Sequence, residues 1–376
     1  MYNYINLQYY RGIWNDKNLF YNIPNILMLL LYFTTAVRIV DLLPAVLISV
    51  LVAGFFSKGN KNSGTNLFCG GIFMKKSTTS TTANLCAFAR AHHSSFAHKK
   101  IFDDYLSFDL MGQDLFEKTG LLIQNKFKKE KFSINESLNS KKIMKELKEF
   151  IAPIPLSRIA FFEKEVKKFA DRFAKIQYVI CGAGFDTFAF RNDNKDIRVF
   201  EIDHPNTQAL KKERISSLEW NASSISFVPV DFAKDDMNTK LLKSGFRSDL
   251  PTFFSIPGVS YYLTLPILES TVKKIENLVE APVEICLDFP DQTTFKRAEN
   301  DRVSVLAKIT EGLSEAMTGT YSFTELKEML SQHGFYIDRH MTPEEIQEEF
   351  FSGRDDGLHA FENVHFLTAN NFKENR

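Results

Sequence analysis

The residues best placed to do chemistry lie in two runs, Tyr178–Thr187 (Y-V-I-C-G-A-G-F-D-T) and Ile197–Asp203 (I-R-V-F-E-I-D). Tyr178-Val179-Ile180-Cys181 is an apolar run of strand length, and Gly182-Ala183-Gly184 interrupts it at once. Glycines there let the backbone turn sharply and let a ligand lie against the main chain. Glu201 follows Gly182 by nineteen residues, with Asp203 two further on, at the end of a second apolar run. A glycine turn after one parallel strand, with an acid at the tip of the next, is how α/β folds hold a ribose-bearing cofactor. The acid accepts hydrogen bonds from the ribose hydroxyls. A glycine pair alone would equally serve an ordinary tight turn, and the acid at this distance favours the nucleoside site. The nicotinamide fingerprint wants a third glycine where this chain has Thr187, and Asp186 beside it would repel a pyrophosphate. S-adenosyl-L-methionine has no phosphate and carries an ammonium and a sulfonium, so the pattern points to a methyltransferase.

The elements that must position these residues alternate between strand and helix. Further strands are predicted over Ile225–Val230, Thr252–Ile256, Glu284–Phe289, Gly334–His340 and Val364–Ala369. The third ends in Asp231-Phe232 and the fourth runs into Pro257-Gly258-Val259-Ser260-Tyr261-Tyr262. Helices are expected over Ala83–Ala97, which contains Arg90, and from Leu156 to about Ala174, with Ser157 as N-cap and Arg158 beside it. A third covers Gln208–Leu218, its charges read as a solvent face, and a charged segment near 300–315 could form part of a substrate wall. Strand–helix alternation of this kind predicts an α/β fold.

In order, C-G-A-G-F-D-T-F-A-F-R, V-F-E-I-D-H-P, K-K-E-R, V-P-V-D-F and G-V-S-Y-Y-L-T resemble the leucine carboxyl methyltransferase family, whose bacterial branch holds class I O-methyltransferases. The resemblance runs from about Thr81 to Phe289 and more loosely to the C-terminus. It implies a doubly wound, Rossmann-like sheet of seven strands, mostly parallel with one antiparallel strand near the edge, under an N-terminal helical lid. It also implies a cofactor site built from Arg90, Arg158, Gly182, Ala183, Gly184, Asp186, Glu201, Asp203, Asp231, Phe232 and Pro257. Arg158, twenty-four residues before Gly182, matches an arginine that pairs with the cofactor's carboxylate, which a planar guanidinium can grip with two hydrogen bonds. A surface salt bridge is the alternative for Arg158, and a solvent-facing lid position the alternative for Arg90. Asp231 and Phe232 are implied at the adenine. Pro257 stands where leucine-type members carry glutamate, which removes one polar cofactor contact and leaves the substrate open. Tyr261 and Tyr262 are candidates for the acceptor pocket, or for core.

The implied acceptor is a carboxylate of a small molecule or peptide. A carboxylate, with a pKa of about 4, is already ionised at neutral pH, so no catalytic base is named. The alternatives are a phenol or other hydroxyl, which would need a base, and a non-catalytic, membrane-tethered S-adenosylmethionine-binding protein.

Composition agrees with an enzyme. The 376 residues carry 46 basic and 46 acidic side chains, so no net field draws nucleic acid or anionic membrane. The run from Lys126 to Lys148 is lysine-rich, but glutamates interrupt it and no aromatic platform accompanies it, so it reads as a solvated face. Cys69, Cys86, Cys181 and Cys286 lack paired spacing, and the eight histidines are scattered. Neither a metal site nor a disulfide framework is expected, in keeping with a reducing, cytoplasmic setting. Residues 1–73 differ in kind: Asn18–Val37 is uncharged and Leu42–Ser57 nearly as apolar. Three readings stand: a membrane hairpin through residues 18–57, an apolar extension packed on the enzyme, or a translation start at Met74, ahead of a methyltransferase domain over 74–376.

Overall fold

In the computed structural model the strand that opens the glycine turn, β1 (Ile176–Cys181), lies at the middle of a seven-stranded sheet. The model describes residues 80–131, 147–232, 234–296, 301–311 and 317–372. The apolar N-terminal runs fall outside them, as does most of the lysine-rich stretch between 132 and 146. Among the described residues no helix is long and apolar enough to cross a membrane.

The other strands are β2 (Ile197–Asp203), β3 (Ile225–Pro229), β4 (Thr252–Ile256), β5 (Val283–Pro290), β6 (Tyr336–Met341) and β7 (Val364–Asn370), in the order β3-β2-β1-β4-β5-β7-β6. β1 to β5 are parallel, and β7 enters antiparallel between β5 and β6, one place from the edge. This is the seven-stranded, mostly parallel sheet with one antiparallel strand near the edge that the family resemblance implies. β1, β4 and β5 are buried along their whole length, because parallel strands linked through helices are covered on both faces.

The helices are α1 (Thr81–Phe96), α2 (Ser107–Met111), α3 (Gln113–Lys131), a π turn (Leu147–Ile151), α4 (Pro153–Arg172), α5 (Phe188–Arg191) and α6 (Pro205–Ser217). After them come α7 (Met237–Lys243), α8 (Leu265–Leu278), α9 (Arg302–Glu311), α10 (Phe323–Gln332) and α11 (Pro343–Ile346). One face of the sheet packs on α1, α4 and α6, where Phe161, Phe162 and Phe169 fill the core. The opposite face packs on α7, α8 and α10 through Leu241, Val272, Ile275 and Leu330. Much of the phenylalanine content is therefore core filling on the lid side.

Two local expectations are corrected. Ser157 is not an N-cap: α4 starts a turn earlier, at Pro153, where a missing N–H costs nothing, and the Ser157 hydroxyl donates to the Pro153 carbonyl at 2.8 Å. Nor is the charged face of α6 all solvated. Helical spacing puts Thr207, Gln208, Lys211 and Ile215 on its buried side. Lys211 is 1% exposed, and its ammonium meets Glu201 Oε2 at 2.6 Å. The lysine can be buried because Glu201 faces it there, and burial pushes the Glu201 carboxyl up to about 7 against the pull of Lys211.

Glu284, at the start of β5, is likewise buried, and burial pushes it from an ordinary 4.5 up to about 8, with Arg172 opposing and Asp338 and Glu165 reinforcing the shift. Between those values the folded chain holds a proton that the unfolded chain has released, so stability falls as pH rises through this window. Glu284→Gln should flatten the slope of denaturant-derived stability between pH 4.5 and 8, removing at most roughly 5 kcal/mol of variation. An unchanged slope would show that the group titrates normally.

Candidate functional site

The carboxyl ends of β1, β2 and β4 open on a cavity of about 320 Å³. Its floor is the glycine turn. Gly182 and Gly184 have φ of +79° and +50°, the left-handed region that favours glycine. The N–H groups of Gly182 and Ala183 both donate to the Ile202 carbonyl, at 2.8 and 3.1 Å, so the turn is stapled to the end of β2.

Arg158 reaches the cavity from the second turn of α4. Its Nη1 lies 3.0 Å from Oδ2 of Asp288, which is fully buried near the end of β5, while Asp288 Oδ1 accepts from the Gly258 N–H at 2.7 Å. Burial alone would weaken the Arg158 charge, but the Asp288 carboxylate outweighs it and raises the guanidinium pKa above its ordinary value. A Cβ on Gly258, where φ is +69°, would stand 2.5 Å from Arg158 Nη1, so glycine there makes room for the guanidinium. Cys86 on α1 is a further neighbour, its Sγ 3.6 Å from Nη2.

Asp203 ends β2 beside the turn. Oδ2 accepts from the Gly184 N–H and Oδ1 from the His204 N–H, the latter at 2.6 Å. Each oxygen keeps further acceptor capacity toward the cavity. Asp186 also lines it, oriented by a hydrogen bond from the Phe188 N–H to Oδ1 at 2.7 Å. Phe232 lies at the wall and is 42% exposed, which leaves room for a planar ligand.

The lid side is held by a buried carboxylate. Asp104 takes Arg90 Nε at 2.9 Å and the Thr187 hydroxyl at 2.5 Å, and Arg90 Nη2 donates to the Phe185 carbonyl at 2.7 Å. Arg191 joins through Thr187 Oγ1, at 2.8 Å, and pairs with Glu163. Arg90 therefore lines the cavity as a buried clamp between α1 and the glycine turn, not as a solvent-facing lid arginine.

Of the residues singled out from sequence, Arg90, Arg158, Gly182, Ala183, Gly184, Asp186, Asp203, Phe232, Pro257, Tyr261 and Tyr262 come together at this cavity. Glu201 and Asp231 do not. Glu201 is drawn back to Lys211, and Asp231 pairs with Lys234 at 2.7 Å outside the cavity wall. Tyr261 is buried, and burial followed by the adjacent Asp288 charge pushes its hydroxyl well above the ordinary tyrosine value. The Tyr262 hydroxyl donates to Thr82 Oγ1 at 3.3 Å. Sequence reasoning passed over Asp288 and Asp104. An acid near the end of the core strand E-I-C-L-D-F was the available signal for the first, and the Asp103-Asp104 pair after α1 for the second.

Residues 83–276, just over half the chain, match the model of the leucine carboxyl methyltransferase family. The chain belongs to that family. A Bacillus subtilis (strain 168) protein named "Putative S-adenosyl-L-methionine-dependent methyltransferase YktD" is 36% identical over 306 residues, 79% of this chain and 99% of the relative. Among solved structures, a DUF574 family protein from Streptomyces avermitilis MA-4680 covers 67% of this chain and 96% of its own, at 10% identity and a TM-score of 0.45. Magnesium protoporphyrin IX methyltransferase (ChlM) of Synechocystis PCC 6803, solved with S-adenosylmethionine bound, covers 70% of this chain and 98% of its own, at 10% identity and a TM-score of 0.38. These two are likenesses of fold alone.

The enzyme is thus an S-adenosylmethionine-dependent methyltransferase, and its cavity fits that cofactor. It offers a fixed guanidinium for a carboxylate, an acid with spare acceptor capacity for hydroxyls, a turn without side chains, and an exposed phenylalanine. Gly258→Ala should keep the fold but displace Arg158, and should weaken S-adenosylmethionine binding by about tenfold or more in calorimetric titration. Unchanged affinity would mean that the guanidinium position does not matter for the cofactor.

Proposed function

We propose that the enzyme methylates a carboxylate, with Met74–Arg376 as its catalytic unit. One observation carries this reading: among the described residues, the cavity wall beyond the cofactor groups holds no carboxylate, and its thiol, Cys86, sits against Arg158 at 3.6 Å. Tyr261 is pushed the wrong way for a base, and His204 is exposed beside Asp203, at the ribose end. A phenol or alcohol would have to be deprotonated at the acceptor, whereas a carboxylate arrives ionised.

In this reading Arg158 takes the carboxylate of the cofactor, Asp203 the ribose hydroxyls, and Phe232 one face of the adenine. Gly182, Ala183 and Gly184 let the cofactor approach the main chain, and Asp186 faces its cationic end. Pro257 lends shape and no polar contact. Arg90 holds the lid to the turn through Asp104 and Phe185, and Tyr261 and Tyr262 bound the acceptor side. Glu201 and Asp231 support the ends of β2 and β3 from behind. S-adenosylmethionine supplies a methyl group bound to a positively charged sulfur. The chain's part is to hold acceptor oxygen, methyl and sulfur in line and to keep water away.

Arg158→Ala should weaken S-adenosylmethionine binding by about 1.5–3 kcal/mol, the scale of a hydrogen bond to a charged group. Asp203→Ala should also weaken it, and NAD should bind neither the parent nor the variants. Intact affinity in folded Arg158→Ala would remove that residue from the cofactor site. The reaction itself is tested by incubating the enzyme with methyl-labelled cofactor and a metabolite extract. Base-labile methyl esters support the carboxylate reading, and base-stable ethers as the sole product overturn it.

A further inference from the structure

The lining residues fall into two chemical groups. The polar group includes the acids on the strand ends together with Thr82, Cys86 and Arg90 on α1, Arg158 on α4 and Thr207 on α6. An apolar group comes from the helices and one connecting segment: Leu85 on α1, Phe150 and Ile151 on the π turn, Ile154 on α4, Leu306 on α9, and Met317 after it. All six side chains are hydrocarbon or thioether, with no hydrogen-bond donor among them. Side chains presented from helices also leave little backbone free, because helical N–H and C=O groups are largely engaged with one another.

This wall is braced. Arg302, one turn before Leu306, sends Nη1 to the Glu149 carbonyl at 3.1 Å, next to Phe150, and to the His359 carbonyl at 3.4 Å. Its Nη2 donates to the Ala360 carbonyl, and the guanidinium lies 3.9 Å from the centre of the Phe361 ring. α9 and the π turn are thereby fixed to each other, so the space between Leu306 and Phe150 is preformed.

We infer that the methyl acceptor is a small carboxylic acid with an apolar body, and not the C-terminus of a polypeptide. The inference rests on the carboxylate reading above and adds what the rest of the acceptor must be. A peptide brings an N–H and a C=O for every residue that enters, and each loses its water with no partner among these six side chains. A hydrocarbon chain or ring has no such groups to satisfy and gains by leaving water. The transfer balances without a further reactant. A carboxylate oxygen forms the bond to the methyl carbon, the carbon–sulfur bond breaks, its electron pair stays on sulfur, and a neutral ester and a neutral thioether result with no proton moved.

The test uses the full chain with methyl-labelled S-adenosylmethionine and three sets of probes: octanoate and 4-phenylbutanoate, acetylated tripeptides ending in leucine or phenylalanine, and 4-propylphenol. Methyl esters of the apolar acids should form with kcat/KM at least about tenfold above that for the peptides, a difference of about 1.4 kcal/mol. Leu306→Asp should raise KM for octanoate about tenfold or more while S-adenosylmethionine affinity by calorimetry stays unchanged. Met317→Phe, which keeps the wall apolar, should shift the preferred acid to a shorter chain. Peptides methylated as well as the acids, or an octanoate KM indifferent to both substitutions, would overturn the inference and leave the carboxylate reading standing. Turnover of the phenol alone would overturn the carboxylate reading and leave the apolar wall intact. Turnover of none of the probes would overturn both.

Discussion

The site depends on one buried ion pair, Arg158 with Asp288. Asp288 is completely removed from solvent, and an isolated carboxylate in that position would be prohibitively expensive. The guanidinium on one oxygen and the Gly258 N–H on the other make it tolerable. The consequence is geometric. α4, β5 and the loop after β4 are drawn to a single point, and the residual donors of Arg158 are left at the cavity. Glycine suits that point, because its positive φ and the closeness of the guanidinium both disfavour a side chain.

A second buried carboxylate does for the lid what Asp288 does for the floor. Asp104 gathers Arg90, Thr187 and Arg191, and so joins the helix over the cavity to the glycine loop at its floor. Polar networks of this kind specify one arrangement of apolar elements that could otherwise slide, since a shift would leave charges without partners. The wall carried by the π turn and α9 is built on the opposite principle. Phe150, Ile151 and Leu306 are apolar, and Arg302 braces them through the Glu149, His359 and Ala360 carbonyls while pairing with Glu362. The cavity thus combines charged groups with an apolar set of side chains.

Function and stability meet at β2. Asp203 stands at the cavity and Glu201, two residues earlier on the same face, turns back to Lys211. Alternation along a strand assigned both acids to one face but could not say which would meet the ligand. The deciding factor is α6. Its helical period brings Lys211 against Glu201, and a buried lysine captures the nearer carboxylate. The same period accounts for a charged run that looked solvated and is in part core.

What the chain determined by sequence alone was local. An apolar run broken by glycines, and an acid on the next strand, define a nucleoside site, because turn geometry and strand alternation are properties of near neighbours. The absence of a third glycine, with Asp186 in the turn, selected a cofactor without phosphate for the same reason. Ordered blocks placed the chain in its family, and six strands in one direction with one antiparallel intruder followed. Only tertiary structure decided which charges are paired. Arg158 meets Asp288 across 130 positions, Arg90 meets the Phe185 carbonyl across 95, and Thr187 meets Asp104 across 83. No spacing rule relates residues so far apart. Their partnership comes from burial, which demands a counter-charge and leaves the fold to supply it.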